Sequence, residues 1–385
     1  MTNPAPGSAQ GSAVFVAGGL NEDIKARPFT TPTPRSSNPG RVYRAPGGVG
    51  RNIAHSLALL GANPILCSAA GNDSGGDSVL SATAAAGVDT SAVFRFDSFP
   101  TGSYLAIQDA TGDLFSAISD MEIMDTLQAE LLRPLESQLA ASAALVLDTN
   151  LRTTTLAYLS HAARRHGVPC IAEPVSVQKS TRLASILQYC TWISPNLDEL
   201  CALYSIEIFY MRRFLRSLVA RPGQATALAK DITAALESAS SGTDAPQLLI
   251  TLGAEGVLLL SRDPQCSRRH SLLSNPSAEP LSGSSLSESS QWWAWWYPPL
   301  PARPADTNGA GDAFIAGFTA ALTTVQAPSP GAPSVAEAVQ WGQAAAALTL
   351  ESQHTVAPEL NRAALLERLR IARSDLPNRP RSDYI

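Results

Sequence analysis

The chain has 385 residues, 45% of them apolar and 16% charged, with a formal net charge of -5 at pH 7. That length and apolar fraction can bury a sizeable core and exclude a wholly disordered chain, and the acidic balance offers no global basic field for a phosphate backbone, which argues against nucleic acid as the main partner. The five cysteines, Cys67, Cys170, Cys190, Cys201 and Cys266, are scattered without a C-x-x-C pair, which argues against a disulfide framework or a zinc site and suits a reducing compartment.

Met1 to Ser12 is polar, without the basic and apolar regions of a secretion signal, and no later run reaches the length of a membrane span; a cytoplasmic protein is the expectation. The apolar run Val14 to Ala17 reads as the first strand. Gly18-Gly19-Leu20-Asn21-Glu22-Asp23 follows it, which puts Asp23 near the carboxyl end of that strand, where α/β proteins bind ligands. A carboxylate there can accept hydrogen bonds from two vicinal sugar hydroxyls; a solvated loop aspartate is the plainer alternative.

Pro46-Gly47-Gly48-Val49-Gly50-Arg51-Asn52 marks the junction of a strand and a helix. Glycines there let a ligand approach the backbone, and Asn52 would aim its amide at that ligand from the first helical turn, although turn geometry alone also accounts for such glycines. The spacing matches neither a P-loop nor the dinucleotide G-x-G-x-x-G, which counts against a nicotinamide enzyme. Ile53, Leu57 and Leu60 share one face of the following helix, and Gly61 ends it.

Ile65 to Ala69 reads as a strand. Tyr104 to Ile118 departs from the alternation of strand and helix: two apolar runs joined at Asp109-Ala110-Thr111-Gly112-Asp113 predict a hairpin, with Arg41 to Ala45 paired beside it. These pieces, within residues 20 to 45 and 101 to 118, predict a small sheet apart from the main one, like a lid. Ala144 to Leu147, Val168 to Ala172, Trp192 to Ser194, Leu248 to Thr251 and Val257 to Leu260 read as strands, with Thr154 to His166 and Val335 to Leu350 helical. That alternation predicts an α/β fold around a largely parallel sheet. Ser261 to Pro304 is rich in Ser and Pro, carries four of the six tryptophans between residues 292 and 296, and reads as an insertion that is largely surface loop.

The sharpest motif is Asp306-Thr307-Asn308-Gly309-Ala310-Gly311-Asp312, followed by a helix-like apolar stretch. Small residues at 309 to 311 let backbone N–H groups converge at a helix start, where the macrodipole also favours an anion such as a phosphoryl group in transfer. Asp312, in the first turn, is placed to take a proton from an acceptor hydroxyl without needing a raised pKa. A simple glycine-rich helix cap is the alternative.

With these three motifs in this order, the chain resembles the ribokinase-like (pfkB-type) carbohydrate kinase family over nearly its whole length. The resemblance implies one kinase domain over residues 1–385, a three-layer α/β/α fold with a small β-sheet lid, and transfer of the γ-phosphate of ATP to a sugar hydroxyl. It carries sugar binding onto Asn21, Asp23, Gly47, Gly48 and Asn52, the anion hole onto Gly309, Ala310 and Gly311, and the catalytic base onto Asp312. Asn196-Leu197-Asp198-Glu199 resembles the family's N-x-x-E, implying Asn196 near the ATP phosphates and Glu199 on magnesium through water. Thr251 to Gly256 resembles the nucleotide-contacting loop, carried by Thr251, Gly253 and Gly256. The backbone at Asp306 and Thr307, with the segment after Leu350, resembles a potassium site.

Ser37 to Gly40, Gly47 to Ala54, Ser119 to Met121 and Glu173 to Ser176 resemble the branch of the family that phosphorylates pseudouridine on its 5′-hydroxyl. Asn150 and Lys179, with Ser119 and Asp120, are the candidates for reading the base, Lys179 being open also to the reading of a surface lysine. Asn308 stands where a Thr is common, Glu173 where some relatives have Asp, and the Trp-rich insertion is unusual. Another nucleoside or a free sugar such as ribose is the alternative acceptor, and a catalytically silent sugar-binding protein the alternative class. ATP, magnesium and a nucleoside are the implied partners, with a homodimer through the lid as a further one.

Overall fold

A computed structural model describes residues 12–206, 232, 245–262, 279–280, 292–323 and 334–374. In chain order the strands are β1 (Ala13–Ala17), β2 (Asn21–Pro28), β3 (Gly40–Gly47), β4 (Asn63–Gly71), β5 (Val93–Phe96), β6 (Ser103–Gln108), β7 (Leu114–Asp120), β8 (Ala144–Asp148), β9 (Cys170–Glu173), β10 (Trp192–Ile193), β11 (Gln247–Thr251), β12 (Val257–Ser261), β13 (Glu279–Pro280) and β14 (Trp293–Tyr297). The α-helices are α1 (Val49–Leu59), α2 (Ser74–Ala85), α3 (Ala129–Leu132), α4 (Glu136–Ala140), α5 (Thr153–Arg165), α6 (Val177–Ser180), α7 (Leu197–Tyr204), α8 (Ala310–Thr323), α9 (Val335–Leu350) and α10 (Arg362–Ser374).

Strand β1 divides its side chains between two cores. Phe15 and Ala17 join Leu145, Leu147, Leu156, Leu159 and Leu200 on one side; Val14 and Val16 join Ile53, Leu57, Phe314, Phe318 and Leu365 on the other. A strand covered on both faces shows no polar alternation, which is why the sequence here is a continuous apolar run. Helices α5 and α7 therefore cover one face of the sheet and α1, α8, α9 and α10 the other, giving the expected three layers. The sheet order is β13-β14-β12-β11-β10-β9-β8-β1-β4-β5, parallel from β11 through β5 and antiparallel where β12, β14 and β13 are added.

The lid is a second sheet in the order β3-β2-β6-β7. The predicted hairpin is present as β6 and β7, but Arg41 to Ala45 does not lie beside it: β3 pairs with β2, and β2 separates β3 from β6. No period-2 apolar pattern marks β2 in the sequence, because its residues are nearly all half-buried.

The surface-loop reading of Ser261 to Pro304 also needs correction. Trp293–Tyr297 is a strand of the main sheet, antiparallel to β12, with Trp295 opposite Leu259 and Trp292, Trp295 and Tyr297 buried. Aromatic residues favour strands, a signal that the surrounding Ser and Pro obscured. Residues 263–278 and 281–291 of that segment lie outside the described ones. Among the described residues, no helix is long and apolar enough to cross a membrane.

Candidate active site

The carboxyl ends of β1, β8, β9 and β10 open on the same edge, and beyond β1 the chain leaves the main sheet for the lid. Such a place, where neighbouring strands β8 and β4 flank β1 with their connections diverging, is a crevice by construction. Asp148, the last residue of β8, is buried and organises it. Its Oδ2 accepts hydrogen bonds from Gly19 N at 2.7 Å and Gly50 N at 2.8 Å, and its Oδ1 from Asn150 N at 2.8 Å. Burial pushes the carboxyl up while these N–H donors oppose the shift.

The packing is too close for side chains: a Cβ at Gly50 would stand 2.8 Å from the Gly18 backbone, and one at Gly48 2.4 Å from Gly19 O at a φ of 99°. These glycines are needed for two loops to meet, besides any approach of a ligand. Sequence reasoning passed over Asp148; the available signal was a carboxylate closing an apolar strand.

Asn21 and Asp23 lie on β2, not in a loop. Asn21 Nδ2 donates to Asp23 Oδ1 at 2.7 Å, and a Cβ at Gly47 would fall 2.3 Å from that same oxygen. Burial raises the Asp23 carboxyl, with Asn21, Lys25 and Arg51 opposing. Across the lid, Asp23 pairs with Tyr104 and Tyr104 with Ser119, whereas Asp120 pairs with Ser103 in the alternate row. Ser119 thus shares a face with Asp23, and Asp120 points to the other.

Lys179 is no lone surface lysine: its Nζ donates to Asn150 Oδ1 at 2.6 Å, and burial lowers its pKa. The Asn150 amino group then faces Gly19, where a Cβ would lie 2.6 Å from Nδ2. Arg182 fixes the turn beneath by donating to the carbonyls of Thr149 at 2.9 Å and Leu151 at 3.1 Å. Val175 stands nearby at a φ of 65°, rare for a β-branched residue.

Helix α8 begins at Ala310, immediately after Gly309, whose φ is 79° and where a Cβ would meet Thr355 O at 1.9 Å. A Cβ at Gly311 would touch nothing, so the face of this turn is open. The first N–H groups of a helix have no helical acceptor, so those of Ala310, Gly311 and Asp312 suit an anion. Asp312 Oδ2 accepts from Asn52 Nδ2 at 2.9 Å, so the amide expected to face a ligand faces Asp312. Contrary to an ordinary carboxylate, Asp312 is pushed up to about 7, by burial first, with Asp148 and Asp23 adding and Asn52 opposing.

Asn196 and Glu199 form a reciprocal cap on α7: Glu199 N donates to Asn196 Oδ1 at 2.9 Å and Asn196 N to Glu199 Oε2 at 2.9 Å. Glu199 is buried, and burial raises its carboxyl. Glu173, ending β9, is raised well above the usual range by burial, then by Glu199 and Asp312. Buried carboxylates that repel one another favour a hard cation between them, and this set fits magnesium held by one or two carboxylates and ligand oxygens. No group of three or more His, Cys, Asp or Glu among the described residues forms a complete metal cage.

Thr251 bridges to Asn196 in parallel fashion, and Gly253, at φ 59°, faces open space. Gly256 has a structural reason of its own, since a Cβ would lie 2.1 Å from Tyr297 O. Before the α8 turn, the amides of Ala305 and Asp306 donate to Leu350 O at 2.7 and 3.4 Å, which joins the segment of Asp306 and Thr307 to the one after Leu350. The Asp306 carboxylate accepts from Asn308 N at 3.0 Å and Nδ2 at 2.9 Å, and Lys25 of the lid reaches it at 3.6 Å.

Comparison with known proteins adds three findings. The sequence profile described as pfkB family carbohydrate kinase matches residues 14–272 and 283–362. A pseudouridine kinase of Arabidopsis thaliana is 28% identical over 364 residues, covering 89% of this chain and 92% of that protein, and one of Escherichia coli (strain K12) is 28% identical over 353 residues, covering 92% and 95%. The structure of Arabidopsis thaliana ribokinase, complexed with ribose and ATP, superposes with a TM-score of 0.70 at 20% identity, covering 93% of this chain and 99% of that one.

Proposed function

The chain belongs to the pfkB family of carbohydrate kinases and is a sugar or nucleoside kinase of ribokinase-like fold, and from that premise we propose that it phosphorylates the 5′-hydroxyl of pseudouridine with ATP, Asp312 acting as the base. The observation that carries the proposal is the meeting of Asp312, at the open glycine turn, with Asn52 and the field of Asp23 from the lid. The acceptor choice is supported by the two pseudouridine kinases similar over most of the chain.

In this reading Asp23 accepts hydrogen bonds from the ribose hydroxyls, beside the space that Gly47 leaves clear. Asp312 takes the proton of the 5′-hydroxyl as the bond to phosphorus forms, and the N–H groups of Ala310, Gly311 and Asp312 stabilise the charge of the moving phosphoryl group. Asn196, Thr251 and Gly253 line the nucleotide side. Glu199, with Glu173 beside it, would hold magnesium through water, which when bound neutralises charge on the polyphosphate. The lid excludes water from the crevice and so limits ATP hydrolysis. Asn150, its oxygen taken by Lys179 and one N–H shared with Asp148, keeps the other N–H for a carbonyl of the base, and Ser119 faces the same crevice; a site built on such hydrogen bonds discriminates strongly.

Two finer readings accompany it. The backbone at Asp306 and Thr307, beside the segment after Leu350, forms a monovalent cation site, and the outer lid joins two copies through its exposed Leu114, Phe115 and Ile118, at 62%, 66% and 64% exposure.

ADP release measured with pseudouridine, uridine, other nucleosides and ribose tests the central proposal. Turnover highest with pseudouridine is expected. Preference for ribose or another nucleoside would overturn the acceptor, and no ATP consumption with any of them would favour a silent binding protein.

A further inference from the structure

Arg51, at 5% exposure on the first turn of α1, lies one residue before Asn52. Burying a guanidinium is costly unless its donors are met. Here Nε donates to Thr83 Oγ1 at 3.2 Å, and one Nη donates to Pro46 O at 3.4 Å and to Asn52 Oδ1 at 3.3 Å. The hydroxyl proton of Thr83, on α2, is committed to Val79 O at 2.6 Å, so Thr83 is an acceptor for Arg51. A guanidinium accepts no hydrogen bond, so the Asn52 oxygen must face it. The amino group of Asn52 is thereby left for Asp312, where Nδ2 meets Oδ2 at 2.9 Å. Turned over, the amide would present its oxygen to that carboxylate and repel it, and Arg51 adds a second bias against that orientation.

We propose that Arg51 is a positioning residue for phosphoryl transfer: through Asn52 it holds the Asp312 carboxylate in one orientation, with one oxygen engaged and the other left for the acceptor hydroxyl. The proposal rests on the reading of Asp312 as the base. Arg51 also lies in the field of Asp23 and holds Pro46 O near the end of β3, so one cation acts on the lid and the acceptor carboxylate directly and on the base through Asn52. The groups facing Asp312 from other elements are Asp23 on β2, Asp148 at the end of β8 and Glu173 at the end of β9, all acidic. His55, one turn along α1, is held down to about 4 by burial and by Arg51, and stays neutral at working pH.

The test is steady-state kinetics with ATP and pseudouridine, or ribose if the acceptor panel selects it, on Arg51→Met, Arg51→Lys, Thr83→Val and Asp312→Asn, from about pH 5.5 to 9. Arg51→Met is expected to lower kcat on the order of tenfold to a hundredfold, with acceptor KM changed far less. Its acid limb should move to higher pH, because the donation that favours ionised Asp312 is lost. Arg51→Lys should recover part of kcat, and Thr83→Val should show a smaller loss with the limb displaced the same way.

A folded Arg51→Met protein with unchanged kcat and limb overturns the proposal, as does a loss confined to KM, which would mean that Arg51 serves Asp23 alone. If Arg51→Met does not fold, Thr83→Val decides: an unmoved limb overturns the proposal and a displaced one upholds it. Asp312→Asn separates the two readings. If it keeps turnover, the base reading itself fails, whereas an inactive Asp312→Asn beside a normal Arg51→Met removes only the role of Arg51.

Discussion

At the scale of single residues, Asp312 joins chemistry and stability. A base must be ionised to accept a proton, so kcat is expected to rise with pH through a limb near 7, the value to which burial raises this carboxyl. Asp312→Asn keeps size and polarity but removes the acceptor charge, and should lower turnover at least about a hundredfold while ATP and pseudouridine still bind. The same shift has a sign for folding. Because the folded pKa of Asp312 lies above that of the unfolded chain, its contribution to stability is complete below about 4 and is lost as pH rises through about 7. Thermal unfolding should therefore find Asp312→Asn more stable than the parent above pH 7, with the advantage shrinking toward about pH 4. An advantage that does not change with pH would mean that Asp312 is not raised.

At the scale of elements, the glycine turns and the aromatic strand respond differently to change. Gly309 combines a positive φ with a Cβ position 1.9 Å from Thr355 O, so Gly309→Ala must displace the start of α8, and turnover should fall far more than ATP binding. Trp295, buried at 2% exposure in β14, should cost about 3–5 kcal/mol on truncation to Ala, read as a lowered denaturation midpoint. Removing residues 266–290 should cost much less, since loop closure depends weakly on length and only the two-residue edge strand β13 is lost from the described part. The tryptophans were legible as residues that must be covered, and Trp292 and Trp295 are. Trp295 joins the core beneath α8 and α9 and Trp292 the core on the other side of the sheet, and that depended on β14 pairing with β12 across the intervening chain.

At the scale of the whole molecule, most of the exposed large apolar side chains among the described residues belong to the lid. Leu114, Phe115 and Ile118 on β7 and Val42 and Tyr43 on β3 are each more than half exposed, at the two edges of the lid sheet, and exposed apolar side chains along an open sheet edge suit a partner surface. Sedimentation is expected to show a dimer that Phe115→Arg with Ile118→Asp converts to a monomer; a parent that sediments as a monomer would remove the lid interface. Activity compared in potassium, sodium and a large organic cation should be highest in potassium if the segment of Asp306 and Thr307 holds a monovalent ion, and equal activity in all three would remove that site.

Local chemistry alone marked the α/β alternation, the glycine turns at 47 to 50 and 309 to 311, and Asp23, Asn52 and Asp312 as the residues to watch, because strand and helix periodicity and turn stereochemistry act over a few neighbours. What those side chains face was decided by contacts distant along the chain. Asn52 meets Asp312 260 positions away, and Asp148 meets Gly19 129 positions away. The high pKa of Asp312, the burial of Arg51, and the choice of β2 rather than β6 as the partner of β3 all depend on which surfaces lose water when the layers close. Desolvation and nonlocal hydrogen bonding exist only once the chain is folded, so residue types and spacings named the parts, and the tertiary structure set their charge states and orientation.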